Sequence, residues 1–159
     1  IDSANRMKIK NHISNIDFHH MPIDSISSLN QKFTKVYIVG AFEHLLDHYK
    51  TCQLVYNNLQ ENGRFMIMTQ NKTALWHQLA THCQQGLKHH STDSFFSITE
   101  LTNMFEKVGF KTIDCSYWNF VPEGDIVYPF NKLFSFLQST LGRFFPSLFK
   151  GGIFIVASK

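Results

Sequence analysis

The sequence predicts an α/β domain with a largely parallel sheet and helices over both faces. Three observations carry this expectation. Runs of apolar and β-branched residues alternate with runs whose apolar residues recur at helical spacing. The alternation is sharpest over residues 33–71, which read as strand, turn, amphipathic helix, glycine stop and strand. The length, 159 residues, suits one domain with its own core.

Residues 3–10 open a helix with a thin apolar face, continued by Ile13 and Ile16. Residues 16–19 form a short strand candidate, ended by Pro22 because proline cannot donate to a ladder. Residues 25–31 are polar and read as a loop or short turn. Residues 36–39 are apolar at every position, as in a strand buried on both faces. Phe42, Leu45, Leu46, Tyr49, Cys52, Val55, Tyr56 and Leu59 recur at helical spacing, and Asn62-Gly63 stops that helix. Residues 65–68 form the next buried strand. Residues 74–83 form a helix with Leu75, Trp76, Leu79, Ala80 and Cys83 on one stripe.

Residues 86–93 read as polar loop. Ser97 and Glu100 then have capping-box spacing, Leu101, Met104, Phe105 and Val108 follow as a core face, and Gly109 ends the helix. Residues 110–117 form a strand, and 118–128 a long loop with Pro122 and Gly124. Residues 130–145 form an apolar helix limited by Pro146, and residues 152–158 a closing strand.

Composition narrows the function. The net charge is +3 and no run of lysine or arginine exceeds two, so the clustered basic face of a nucleic-acid binder is missing and no nucleic-acid partner is expected. Cys52, Cys83 and Cys115 are odd in number and form no CxxC pair. A disulfide framework or cysteine zinc site is not indicated, and a reducing, cytoplasmic compartment is expected. No apolar run is long enough to span a bilayer, and the start lacks the features of a signal peptide. The chain begins at Ile1 without a methionine, which suggests an N-terminus further upstream. There is no serine–histidine–acid set, P-loop or GxSxG elbow, so hydrolase and NTPase chemistry have no support.

Glu43 and His44 lie just past the first strand of the 33–71 unit, at the edge where open α/β sheets bind ligands. Glu43, His44, Asp47 and His48 are the best candidate metal set, with His44 and His48 sharing a helix face four residues apart. The HExxH order is absent and no third ligand is evident, so no metal is assigned. The alternative is Glu43 complementing a helix dipole and His44 facing a substrate cleft.

Several short motifs occur in one order. They are Ile1-Asp2-Ser3-Ala4, the run from Phe18 to Ile23, Phe33 through Leu45 ending in Glu43-His44-Leu45, Asn62-Gly63-Arg64, Phe95-Phe96-Ser97, Gly109-Phe110, and Gly151-Gly152-Ile153-Phe154-Ile155-Val156-Ala157. Together they resemble class I S-adenosylmethionine-dependent methyltransferases over nearly the whole chain. The resemblance implies a Rossmann-like methyltransferase sheet with helices on both faces. This chain would form the C-terminal two-thirds of that single domain, without the first strand and its glycine-rich loop. Gly151-Gly152 belongs to another element.

The resemblance also implies roles. Asp2, with Ser3 beside it, would hold the ribose hydroxyls, although Asp2 as a helix N-cap is the plainer reading. Met21, Pro22 and Ile23 would meet adenine through backbone groups, because Pro22 stands where the family's aspartate is expected. Val39 and Gly40 would line the methionine end, and Thr34 replaces a usual aspartate. Quinone-pathway O-methyltransferases hold a cation with an ExxEH cluster here; Glu43 and His44 match it, but Gly40 replaces the first acid.

The activity implied is methyl transfer to oxygen or nitrogen of a small-molecule acceptor, with His44 as base. The segment 73–76 is similar to histamine-type N-methyltransferases. Trp76, Tyr117 and Trp118 would wall the substrate pocket; as a helix-stripe residue Trp76 also reads as core. Two other readings stand beside this one. One is a noncatalytic methyltransferase-like binding module. The other is a membrane-surface protein using the phenylalanine-rich 130–149 segment, whose ordinary reading is packing over the sheet.

Overall fold

A computed structural model describes residues 1–83, 93–121 and 129–159, with the backbone alone for 80–83. The expected loop over 86–92 with His89 and His90, the side chains of Ala80 and Cys83, and Pro122 and Gly124 lie outside the described residues. The chain divides into two units, Ile1–Gln31 and Lys32–Lys159.

In the first unit, α1 spans Asp2–Lys10, with Asp2 in its first turn and Lys8 and Lys10 in its last, as the helix dipole favours. No residue of α1 is buried, which agrees with its thin apolar face. The expected strand at 16–19 does not form: among the described residues nothing pairs with it, and Asp17 instead meets Lys8 at 3.0 Å. The segment expected as loop is a 3-10 helix, Ile23–Leu29, entered through extended Pro22 and left through Asn30 at φ 50°.

The second unit holds a four-stranded sheet. Its strands are β1 (Phe33–Val39), β2 (Leu59–Gln70), β3 (Lys111–Trp118) and β4 (Gly152–Ser158), in the order β1-β2-β4-β3. Only β1 and β2 run parallel; β4 is antiparallel to both of its neighbours. This corrects the expected, largely parallel sheet. Periodicity reports where strands lie, whereas direction depends on where the connection returns. The chain leaves β3 at Trp118 and re-enters at Gly152, which pair directly, so the chain turns back at the same sheet edge.

The core lies on one face of the sheet. Phe65, Ile67, Ile153 and Ile155 are fully buried there, with Cys52, Val55, Leu101 and Phe105 from the helices α2 (His48–Asn58) and α4 (Ile98–Val108). Phe65 and Phe105 stack at 5.2 Å. The capping box forms as expected: Ser97 Oγ accepts from Glu100 N–H and Glu100 Oε2 accepts from Ser97 N–H. Gly109 closes α4 at φ 110°, a conformation that glycine adopts without strain. The opposite face carries Tyr37 and Val39, both more than half exposed. β1 is therefore packed on one face rather than buried on both, and among the described residues it stands at the end of the sheet.

Three further expectations are corrected. The helix read over 42–59 is broken: a 3-10 turn spans Phe42–His44, Asp47 caps α2 through Lys50 N–H, and Leu46 stands in solvent. Asn62-Gly63 does not stop that helix, which ends at Asn58. It makes an irregularity inside β2, where the register with β1 shifts and Asn62 takes φ 62°. The helix read over 130–145 ends at Thr140 as α5 (Phe130–Thr140), and Pro146 opens α6 (Pro146–Phe149) at its first position. Phe130, Leu133 and Phe136 of α5 are exposed rather than packed over the sheet. The helix α3 (Leu75–Cys83) forms as expected, with Trp76 buried and Leu79 half exposed.

Candidate active site at the sheet edge

The carboxyl ends of β1 and β2 and the start of β4 lie at one edge of the sheet. Gly40 follows β1 at φ +59°, donates its N–H to Met68 carbonyl at 2.9 Å, and has open space where a Cβ would stand. The turn after it is fixed from inside. Phe42 is fully buried against Phe96. Glu43, 3% exposed, accepts a hydrogen bond from Thr69 Oγ1 at 2.8 Å, and its carbonyl accepts Ser94 N–H. A buried carboxyl without such a donor would be costly.

These anchors hold His44 at the surface of the edge. Its Nδ1 lies 2.7 Å from Asp93 Oδ1; the Asp93 side chain is 7% exposed and that of His44 53%. An ionised carboxylate can only accept, so the neutral ring carries its proton on Nδ1 and leaves the Nε2 lone pair bare. Among the described residues nothing bonds to that Nε2. Sequence reasoning missed Asp93, which is 49 positions from His44 at the end of a segment read as loop.

The candidate metal set does not converge. Glu43 turns inward to Thr69, Asp47 caps α2, and His48 opens α2 one element after His44, so the two histidines share no helix face. The His48 ring sits edge-on to Phe42 and Phe96 at 4.9 and 4.8 Å. Burial lowers its pKa below the ordinary 6.5, against opposing effects of the Phe42 backbone and Asp47.

A pH dependence follows. The unfolded chain takes up this proton more readily than the folded one, so stability falls as pH drops below about 6.5. Urea midpoints on either side of that value are expected to converge in His48→Leu. An unchanged acid loss in that variant would place its origin elsewhere. Burial also pushes the Cys52 thiol up to about 12, which removes it as a nucleophile.

The aromatic candidates gather at the same edge. Trp76, 2% exposed, and Trp118 both pack against Phe120. A Cβ on Gly151 would fall 1.9 Å from Phe120 carbonyl oxygen and 2.4 Å from Trp76 Nε1; one on Gly152 would fall 2.3 Å from the Trp118 indole. The glycine pair is therefore filled by these side chains and leaves no cradle for a nucleotide. Buried Gln138 binds Phe120 through both backbone groups, and Asn71 Nδ2 donates to the carbonyls of Ser147 and Lys150. Tyr117 opens onto a cleft of about 330 Å³ lined also by Asn119, Arg143 and Lys150. Burial raises its phenol pKa, with Cys115 adding to the shift.

The remaining candidates lie in the first unit. Asp2 is the first residue inside α1, whose N-cap is Ile1 without a side-chain cap bond, so Asp2 is not a cap. Its carboxylate is exposed and has no hydrogen-bond partner among the described residues. Ser3 Oγ accepts from Arg6. Met21 and Ile23 are half-buried around exposed Pro22.

A family model described as a methyltransferase domain matches residues 1–114. The chain belongs to this methyltransferase-domain family. Solved structures agree with the Rossmann-like fold. A SAM-dependent methyltransferase from Archaeoglobus fulgidus is 17% identical, with 95% of this chain and 71% of that one covered at TM-score 0.61. The YcgJ protein from Bacillus subtilis is 16% identical over 100% and 77%, at 0.65. The N-methyltransferase NodS from Bradyrhizobium japonicum, solved with S-adenosyl-L-homocysteine, is 7% identical over 99% and 61%, at 0.58. No curated protein matches.

The chain spans 61% to 77% of the length of these three solved structures. S-adenosylmethionine is the cofactor that goes with this family, as expected from the sequence motifs. Among the described residues, no helix is long and apolar enough to cross a membrane.

Proposed function

We propose that this methyltransferase domain transfers a methyl group from S-adenosylmethionine to an oxygen or nitrogen of a small molecule at the sheet edge. The observation that carries the reading is the His44–Asp93 pair beside the open Gly40 edge. When bound, the cofactor supplies an electrophilic methyl on a sulfonium. Asp2 and Ser3 hold the ribose, Met21 to Ile23 meet the adenine, and Val39 and Gly40 line the methionine end. His44 Nε2 takes the proton of a hydroxyl or ammonium acceptor, and Asp93 holds the ring in that tautomer and stabilises the imidazolium that forms.

Tyr117, Trp118 and Trp76 wall the acceptor side, the two tryptophans through their shared neighbour Phe120. Their rings suit a cationic amine through cation–π contact. We place the protein in the cytoplasm, on the support of Cys52 and Cys115 as free thiols.

The test is transfer of labelled methyl from S-adenosylmethionine to a panel of phenols and amines. Label in one acceptor class, lost in His44→Gln, is expected. Cofactor binding without transfer to any acceptor would replace the enzyme by a noncatalytic binding module.

A further inference from the structure

Helix α5 carries apolar residues on its exposed side as well as on its packed side. Its one buried residue is a glutamine, Gln138, held by Phe120 backbone. Phe134 and Leu137 are half-buried beside it, but three further apolar residues face water: Phe130 is 58% exposed, Leu133 49% and Phe136 63%. The following turn continues the surface with Phe144 and Phe145, 72% and 59% exposed. Phenylalanine buries about 150–250 Å² when covered, so these four put several hundred Å² of apolar surface in water, which marks an interaction site.

Charge selects the occupant. From Pro129 to Lys159 the chain holds no aspartate or glutamate, while Lys132, Arg143 and Lys150 lie in and beside the apolar stretch. Lys132 is four residues before Phe136 and shares its side of α5. None of the three cations is in an ion pair among the described residues. A protein partner would ordinarily meet aromatic anchors with few charges at the centre. Phenylalanine and leucine on one face with cations beside them are the composition of a helix lying in the headgroup plane of an anionic membrane. With eleven residues α5 is too short to span a bilayer.

We propose that the α5–α6 segment is a docking surface for an anionic lipid bilayer, with Phe136, Phe144 and their neighbours inserted at the headgroup boundary and Lys132 and Arg143 against lipid phosphates or carboxylates. This property is independent of methyl transfer.

The test is sedimentation of the whole chain with phosphatidylcholine vesicles prepared with and without phosphatidylserine. Binding is expected with phosphatidylserine, weak without it, and reduced by added salt. Phe136→Ser with Phe144→Ser is expected to lower partitioning at least about tenfold, with an unchanged melting temperature because both side chains are exposed. Lys132→Gln with Arg143→Gln is expected to remove the phosphatidylserine preference. Failure to sediment with either vesicle would overturn the proposal, as would binding that survives both double variants. A concentration-dependent dimer that the serine variant dissociates, without vesicle binding, would assign the face to a second copy of the chain instead.

Discussion

Gly151→Ala is expected to destabilise the domain by about 3 kcal/mol or more, at the upper end for overpacking. The added methyl would lie 1.9 Å from Phe120 carbonyl oxygen and 2.4 Å from Trp76 Nε1. Neither neighbour can withdraw cheaply. Phe120 is tied through N–H and carbonyl to Gln138 at 2.6 and 3.0 Å, and Gly151 carbonyl is held by Asn71 N–H at 2.8 Å. Moving them would leave buried polar groups unpaired at about 1–3 kcal/mol each. The melting temperature should fall by about 6 °C or more for a domain of this size. Gly40→Ala is the control. It strains φ +59° but meets open space, so its cost stays near about 1–2 kcal/mol. Equal losses in the two variants would contradict the packing described at Gly151.

His44→Gln is expected to lower kcat by about 10²–10⁴-fold on a hydroxyl or ammonium acceptor, the range for removal of a general base. Cofactor affinity should be unchanged, because His44 is not among the residues assigned to hold the cofactor. Asp93→Asn keeps the shape of the carboxylate but no longer dictates which ring nitrogen carries the proton, so it should lower kcat with little change in KM. Steady-state rates with the acceptor found in the labelling experiment decide the matter. Full activity in His44→Gln across the pH range would remove the base from the mechanism.

The elements that sequence reading located well are those whose signals are local. The Ser97–Glu100 box and Gly109 bound α4, and the 152–158 strand coincides with β4, because capping groups and β-branched runs act within a few residues. Errors arose where distant contacts decide. Apolar spacing over 42–59 suggested one helix, but Glu43 is pulled inward by Thr69 and Asp47 starts a new helix. The apolar run 36–39 suggested burial on both faces, but no layer of the described residues covers Tyr37 and Val39, which are more than half exposed. The α5 pattern correctly indicated a helix and gave no sign that Phe130, Leu133 and Phe136 face out.

The same division applies to the site. Glu43 and His44 were legible from their position after a strand. Asp93 was not, because a polar loop residue gains meaning only when the fold brings it to His44.

The most direct measurement is calorimetric titration of the purified chain with S-adenosylhomocysteine, alongside Asp2→Ala. Saturable binding that weakens at least about tenfold in Asp2→Ala is predicted, the loss for a carboxylate accepting two hydroxyl donors. A chain that is folded by circular dichroism and gives no binding heat at any ligand concentration would contradict the account.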